Sequence, residues 1–479
     1  MGMSVKRNFA YSFILTASGY IFPLLTYPYI SRVLGVSGVG ICDFVDSIIN
    51  YFILISMMGI TACGIREIAA HKDDCQQRSR LFNSIIVLNA VSTAIAMAVL
   101  LIAMYTVPML VQYRRLLYIG VLKLIANVFL VEWFYTGMEN FAYITKRSII
   151  VKLVYVAFVF LFIRKPEDYH VYYILTVGAI VLNAICNIIY SRKFVSFEFN
   201  NVAVKPLLAT FFAIGLYKII TSVYTTLNVT WLGIATDTDQ VGYYTSATRL
   251  YTIIISTFTA FTSVMLPRLS ALHAEGNEKE FWDKIHMSVE ALICFSCPLT
   301  IFSMIFAPNI LHFLLGDGFE GSYLPFRIIA PLIFIIGYEQ ILVMQILIPC
   351  KHDKVVLRNS VIGASIAILA NLLIVKIYGA TGSAIVWLTS ELAVLTATLV
   401  YICRTTQYRM PVRSVTRYAL CYLPLAVILY WYETTTKGSD LTVIVVAGVV
   451  VSLFTVLVQK YYIKSPVAIP FINRLQFRR

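Results

Sequence analysis

The chain has 479 residues, of which 59% are hydrophobic and only 13% charged, and its mean hydropathy is +0.80. A soluble domain carries about 25% charged residues, so this composition excludes an ordinary water-soluble enzyme. Lys and Arg number 38 against 24 Asp and Glu, a formal charge of +14. Those bases sit in short loops beside apolar stretches, which points to membrane topology and an anionic inner leaflet rather than to nucleic acid.

Crossing the hydrocarbon takes about 20 apolar residues. Stretches of that kind are predicted at 9–30, 41–62, 82–104, 116–137, 144–163, 170–190, 207–228, 243–267, 286–307, 325–349, 355–377, 382–402, 416–432 and 441–462. The first is longer than a signal-peptide core and lacks a small-residue cleavage site, so it reads as a span. With Met1 in the cytoplasm, the loops alternate between basic and nearly base-free. Inside segments hold 26 of the bases, and the outside ones hold Arg32, Arg114, Arg115, Arg164, Lys165, Lys376 and Lys437. Cytoplasmic enrichment of Lys and Arg sets orientation during insertion; the expected protein is all-α and polytopic, with about 14 transmembrane helices and both termini inside.

Polar residues in spans avoid lipid, so their helical spacing marks faces turned into the bundle. In the first span Ser12, Thr16, Gly19, Pro23 and Thr26 form a stripe, and Pro23 and Pro28 are expected to kink it. In the second, Asp43, Asp46 and Asn50 share a face. Lys123 and Glu132 fall on opposite sides of the fourth. In the seventh, Lys218, Thr221, Thr225 and Asn228 align, and in the eighth Thr245, Arg249, Thr252, Ser256, Thr259 and Ser263 do so. Each Ser or Thr taken alone is also what membrane helices use to bond one another. Lys218 and Arg249 leave two readings open: ion pairs with Asp43 and Asp46, or cavity bases for an anionic ligand. Arg suits phosphate because its planar donors bind two oxygens at once. Glu290, Glu339 and Glu391 could ligate a coupling ion, pair with Arg327 or line a helix interface.

The loop Val33-Leu34-Gly35-Val36-Ser37-Gly38-Val39-Gly40 is similar to the later run from Trp231 to Gly242, and each follows an odd-numbered span. Parallel repeats of this kind relate transporter lobes, with the substrate site between them. The expected layout is an N-lobe at 1–206, a C-lobe at 207–410, each of six helices around a central cavity, and two further helices with a basic tail at 411–479. No phosphate-cradling Gly-rich loop, H-E-x-x-H or nucleophile elbow is present. The close pair Cys294 and Cys297 lies in an apolar span without further ligands, so no metal site is expected.

The run Pro28-Tyr29-Ile30-Ser31-Arg32-Val33-Leu34-Gly35 resembles the opening of bacterial oligosaccharide flippases. Val241-Gly242-Tyr243-Tyr244, Leu266-Pro267-Arg268, Leu315-Gly316-Asp317-Gly318-Phe319, Gln345-Ile346-Leu347-Ile348-Pro349 and Tyr378-Gly379-Ala380-Thr381-Gly382-Ser383-Ala384 follow in the same order. These are the Wzx-type O-antigen and capsule translocases of the multidrug/oligosaccharidyl-lipid/polysaccharide exporter superfamily. Lys376 stands near a turn where that family often has proline. The resemblance implies a monomeric, non-enzymatic flippase in the bacterial inner membrane. It would carry a polyprenyl-diphosphate-linked oligosaccharide from the cytoplasmic to the periplasmic leaflet by alternating access. It would use an H+ or Na+ gradient and no other cofactor, and would work beside the glycan polymerase machinery. Arg249, Lys218, Arg32, Asn228, Thr225, Thr252 and Ser256 are the expected substrate contacts. Asp43, Asp46, Asn50 and Glu339 are the expected ion-coupling or ion-pair residues. Alternatives are a multidrug cation antiporter or lipid II flippase of the same superfamily, and a membrane glycosyltransferase or polymerase.

Overall fold

A chain in lipid must satisfy its backbone polar groups internally, and helices do so within one segment. In the computed structural model the described residues are 5–198, 202–223, 226–436 and 438–463, and the regular elements among them are all helical. Thr225, Lys437 and the tail bases Lys464, Arg474, Arg478 and Arg479 lie outside the described residues.

The chain forms two compact units, residues 1–242 and 243–479. Unit 1 contains α1 (Val5–Met57), α2 (Ile60–Ala70), α3 (Cys75–Thr106), α4 (Pro108–Val111), α5 (Arg114–Val128), α6 (Glu132–Gly137), α7 (Phe141–Phe162), α8 (Tyr169–Ser191), α9 (Lys205–Ser222) and α10 (Thr226–Ala235). The next helix, α11 (Thr238–Ala274), begins in unit 1 and supplies most of its length to unit 2. Unit 2 continues with α12 (Glu278–Ile305), α13 (Ala307–Leu315), α14 (Tyr323–Ile329), α15 (Leu332–Ile341), α16 (Asp353–Ala370), α17 (Lys376–Thr405), α18 (Val412–Thr435) and α19 (Asp440–Leu457).

Among the described residues, ten helical segments are long and apolar enough to cross a membrane. Two of them, Ala10–Met57 with 48 residues and Asp353–Thr405 with 53, are each twice the length a crossing needs. Both carry one non-helical glycine: Gly35 (φ 66°) and Gly379 (φ 53°). A positive φ is nearly free for glycine and strained for other residues, so these are the breaks that make two crossings from one run. The first helix continues through Pro23 and Pro28, and its non-helical dihedrals fall at Gly35 instead. The pair α9 and α10 bends by 48° and can count as one further span. The 22-residue α7 is long and apolar enough to cross but carries three bases, Lys146, Arg147 and Lys152. Counting each long segment twice and adding these two reconciles the ten segments with the fourteen expected spans.

In unit 1, α1 packs against α3, α5 and α7. An aromatic core of Phe82, Trp133, Phe134 and Tyr135 joins α3 to α6, with Phe82 meeting Phe134 edge-on at 5.0 Å. In unit 2, α17 packs on α14, α15 and α16, while α12 packs on α15 and α18.

The two glycine runs singled out in the sequence touch within unit 1. A Cβ on Gly40 would lie 1.8 Å from the Thr238 carbonyl oxygen, and one on Gly242 would lie 2.6 Å from that of Val36. Ser37 donates to Asp239 Oδ1 at 2.6 Å across the same contact. Backbone meets backbone there, so no side chain can yield. Gly40→Ala is expected to destabilise the protein by about 1–3 kcal/mol, seen as a lower Tm. Gly19→Ala, which has open space around it, is expected to leave Tm unchanged or slightly raised.

Candidate functional site

A charge in hydrocarbon needs an opposite charge, hydrogen-bond partners or water, so the bases inside spans sort by what they touch. Asp46 and Asn50 sit one turn apart on the second half of α1, which packs against α5. From α5, the Lys123 ammonium donates to Asp46 Oδ1 at 2.6 Å and to Asn50 Oδ1 at 2.8 Å, and Asn50 Nδ2 donates to Asp46 Oδ2 at 2.8 Å. The Lys123 side chain is 8% exposed and that of Asp46 27%. The buried Tyr173 hydroxyl on α8 lies beside Asp46. Lys123 therefore supplies the counter-charge of Asp46, a partnership the sequence did not reveal. A second pair joins Arg147 on α7 to Glu132 on α6, with Arg147 also bonding Asn187 on α8. Both pairs join neighbouring helices of unit 1.

Lys218 is half-buried on α9, and its ammonium forms no ion pair or hydrogen bond with a described residue. Asn228 is fully buried on α10, a helix anchored to α1 by Ser47 and Thr230, whose hydroxyls meet at 2.9 Å. Asp43 is half-buried on α1 and Arg32 is exposed. Thr225 lies outside the described residues.

In unit 2, Arg249 is half-buried on α11, with Ser256 half-buried and Thr252 exposed on the same face. The hydroxyls of this stripe donate to their own helix: Thr252 to Thr248 O at 2.8 Å, Ser256 to Ile253 O at 2.7 Å and Ser263 to Thr259 O at 2.8 Å. Back-bonding of this kind satisfies each donor locally and leaves the oxygens free to accept. Thr252, Thr259 and Ser263 are exposed rather than packed. Gln340 on α15 donates to Thr259 Oγ1 at 3.0 Å.

Glu339 on α15 neighbours Glu391 on α17, which is 6% exposed. Trp387 Nε1 donates to Glu391 Oε1 at 3.0 Å. Arg327 is not their partner; its Nε donates to Met304 O at 2.9 Å. Among the described residues no cluster of three or more His, Cys, Asp or Glu is arranged to hold a metal ion.

The family described as "Polysaccharide biosynthesis protein" matches residues 5–273, more than half of the chain. The chain belongs to that family. A curated relative from Escherichia coli (strain K12), named "Putative O-antigen transporter", is 23% identical over 409 residues, covering 84% of this chain and 97% of that protein. The fold is similar to that of the lipid II flippase MurJ in its inward closed conformation. The TM-score is 0.78 at 14% identity, over 95% of this chain and all of that one. An inward-facing multidrug resistance MATE family transporter of the MOP superfamily aligns with a TM-score of 0.61 at 13% identity. That alignment covers 88% of this chain and 96% of that one. This polysaccharide biosynthesis family member thus has the all-helical fold of membrane flippases and transporters, and the proteins it is similar to are not enzymes.

Removing one member of a buried ion pair strands the other charge, typically at about 3–5 kcal/mol. Lys123→Met is therefore expected to lower Tm sharply in detergent. Adding Asp46→Asn to that variant should recover most of the loss, because the neutral pair leaves no stranded charge.

Proposed function

We propose that this protein translocates a polyprenyl-diphosphate-linked oligosaccharide from the cytoplasmic to the periplasmic leaflet of a bacterial inner membrane. The observation that carries this reading is Lys218, a half-buried membrane ammonium with no counter-charge among the described residues. A cation kept in hydrocarbon at a cost of at least ~2.5 kcal/mol is explained by an anion that arrives with the cargo, and a lipid-linked diphosphate is such an anion. Arg249 would add bidentate contacts to the phosphates, with Arg32 nearer the surface. Asn228, Thr225, Thr252 and Ser256 offer amide and hydroxyl groups for sugars. Family membership and the name of the O-antigen relative support the same cargo class.

The protein would work by alternating access as a monomer, with both termini cytoplasmic, handing its cargo to the polymerase machinery. Coupling would be to an ion gradient, and Glu339 with Glu391 favours H+ over Na+. Two neighbouring carboxyls in a low-dielectric site are easiest to hold when a proton lies between them, and the Trp387 N–H directed at Glu391 is a poor neighbour for a metal cation. Asp46 and Asn50, engaged by Lys123, would serve structure, and Asp43 would remain a candidate for coupling. A multidrug cation exporter would call for a cavity without free bases, which Lys218 opposes.

In a host strain that depends on this gene for surface glycan, Lys218→Ala and Arg249→Ala are expected to insert at normal levels and to abolish glycan display on immunoblots of surface polysaccharide. Arg249→Lys should retain partial display if charge dominates and none if two-point geometry does. Normal display from the double alanine variant would remove the cation's assigned role.

A further inference from the structure

The structure assigns a proton-binding clasp outside the membrane spans: His312, held as an imidazolium between Asp317 and Asp440, ties α13 to the start of α19 and loosens as the pH rises. It is independent of the cargo reading. His312 Nδ1 bonds Asp440 Oδ2, and its Nε2 bonds Asp317 Oδ1 at 2.9 Å. The other oxygen of Asp440 accepts from Asn309 Nδ2 at 2.8 Å, so α13 grips this carboxylate twice. Ionised carboxylates only accept hydrogen bonds, and a neutral imidazole has a single N–H. A histidine whose two nitrogens both meet carboxylates is therefore doubly protonated.

The surroundings keep it so. The segment Ala307–Leu315 has no other titratable side chain, and the last turn of α12 has none. From α14, Tyr323 faces the cluster, while Arg327 is turned to the Met304 carbonyl. Glu320 accepts from the Gly318 amide at 3.1 Å, and α19 contributes Asp440 alone. Two carboxylates thus surround one imidazole with no competing base among the described residues. The hydrogen bond to Asp440, then that to Asp317, holds the His312 pKa above the usual imidazole value.

The sign follows from that rise. A group whose folded-state pKa is raised stabilises fully below its unfolded value and loses that contribution as pH climbs through the raised one. When His312 loses its proton, it can donate to one carboxylate only. Asp317, 97% exposed, turns to water, while Asp440, only 25% exposed, loses its counter-charge. On α18, Tyr418 donates to Gln459, just past the end of α19, and Tyr422 to Thr455 on α19. Asp440 is where α19 is held by hydrogen bonds to α13, so an acidic medium tightens that attachment and an alkaline one slackens it. By the proposed orientation this end faces the periplasm, the compartment whose pH follows the surroundings.

The test compares the purified full-length protein with His312→Gln and Asp440→Asn, measuring Tm and amide hydrogen exchange from about pH 5 to about pH 9, a range that brackets histidine titration. Relative to His312→Gln, the unsubstituted protein is expected to be more stable by a few degrees at the acid end. That margin should close as pH rises, with several-fold faster exchange at Thr442 and Val443 after correction for intrinsic rates. Asp440→Asn should shift the loss to lower pH. A pH profile of His312→Gln that parallels the unsubstituted protein would overturn the clasp, as would unchanged exchange at α19 across the range.

Discussion

Hydrocarbon will not solvate an isolated charge, and this constraint decides what each base in the membrane part of the chain is for. Lys123 meets it inside unit 1, with Asp46 and Asn50 closing a triangle of three hydrogen bonds around the ammonium. Arg147 meets it through Glu132 and Asn187. Such networks fasten helices together and give each base its counter-charge within the protein. Lys218 is handled differently: it is half-buried with no such partner among the described residues, and that contrast within one unit makes it a functional candidate.

Much of the fold was legible because hydropathy and helix length are local properties. The fourteen apolar stretches correspond to ten long segments once Gly35 and Gly379 divide two of them and the charged α7 and the bent α9–α10 pair are admitted. What stayed hidden was partnership. Periodicity says which face of a helix Asp46 or Lys123 occupies, but not which face of another helix stands opposite. Spacing alone therefore gives Lys123 no partner and leaves Asp46 open to Lys218 or Arg249. The stripe on α11 shows the same limit: Thr252, Ser256 and Ser263 donate along their own helix rather than to a neighbour. The contact of Glu339 with Glu391 depends on the packing of α15 against α17, which no single-helix pattern encodes.

The fold is shared by a lipid II flippase and by multidrug transporters, so architecture alone leaves cargo open. Cargo class has to be argued from the charges and polar faces that this chain sets on that architecture. Small features outside the spans belong to the same logic. His312 at the end of the bundle is wet enough to exchange its proton and close enough to Asp440 for that proton to matter, whereas Glu391 is 6% exposed.

An anionic headgroup would supply the counter-charge that Lys218 lacks among the described residues. The most direct test is leaflet exchange in proteoliposomes, comparing the same oligosaccharide on a polyprenyl diphosphate with one on an uncharged lipid anchor. Transport of the diphosphate-linked form, abolished by Lys218→Ala and absent for the uncharged form, is the predicted result. Equal movement of both lipids, or full activity in Lys218→Ala, would contradict it.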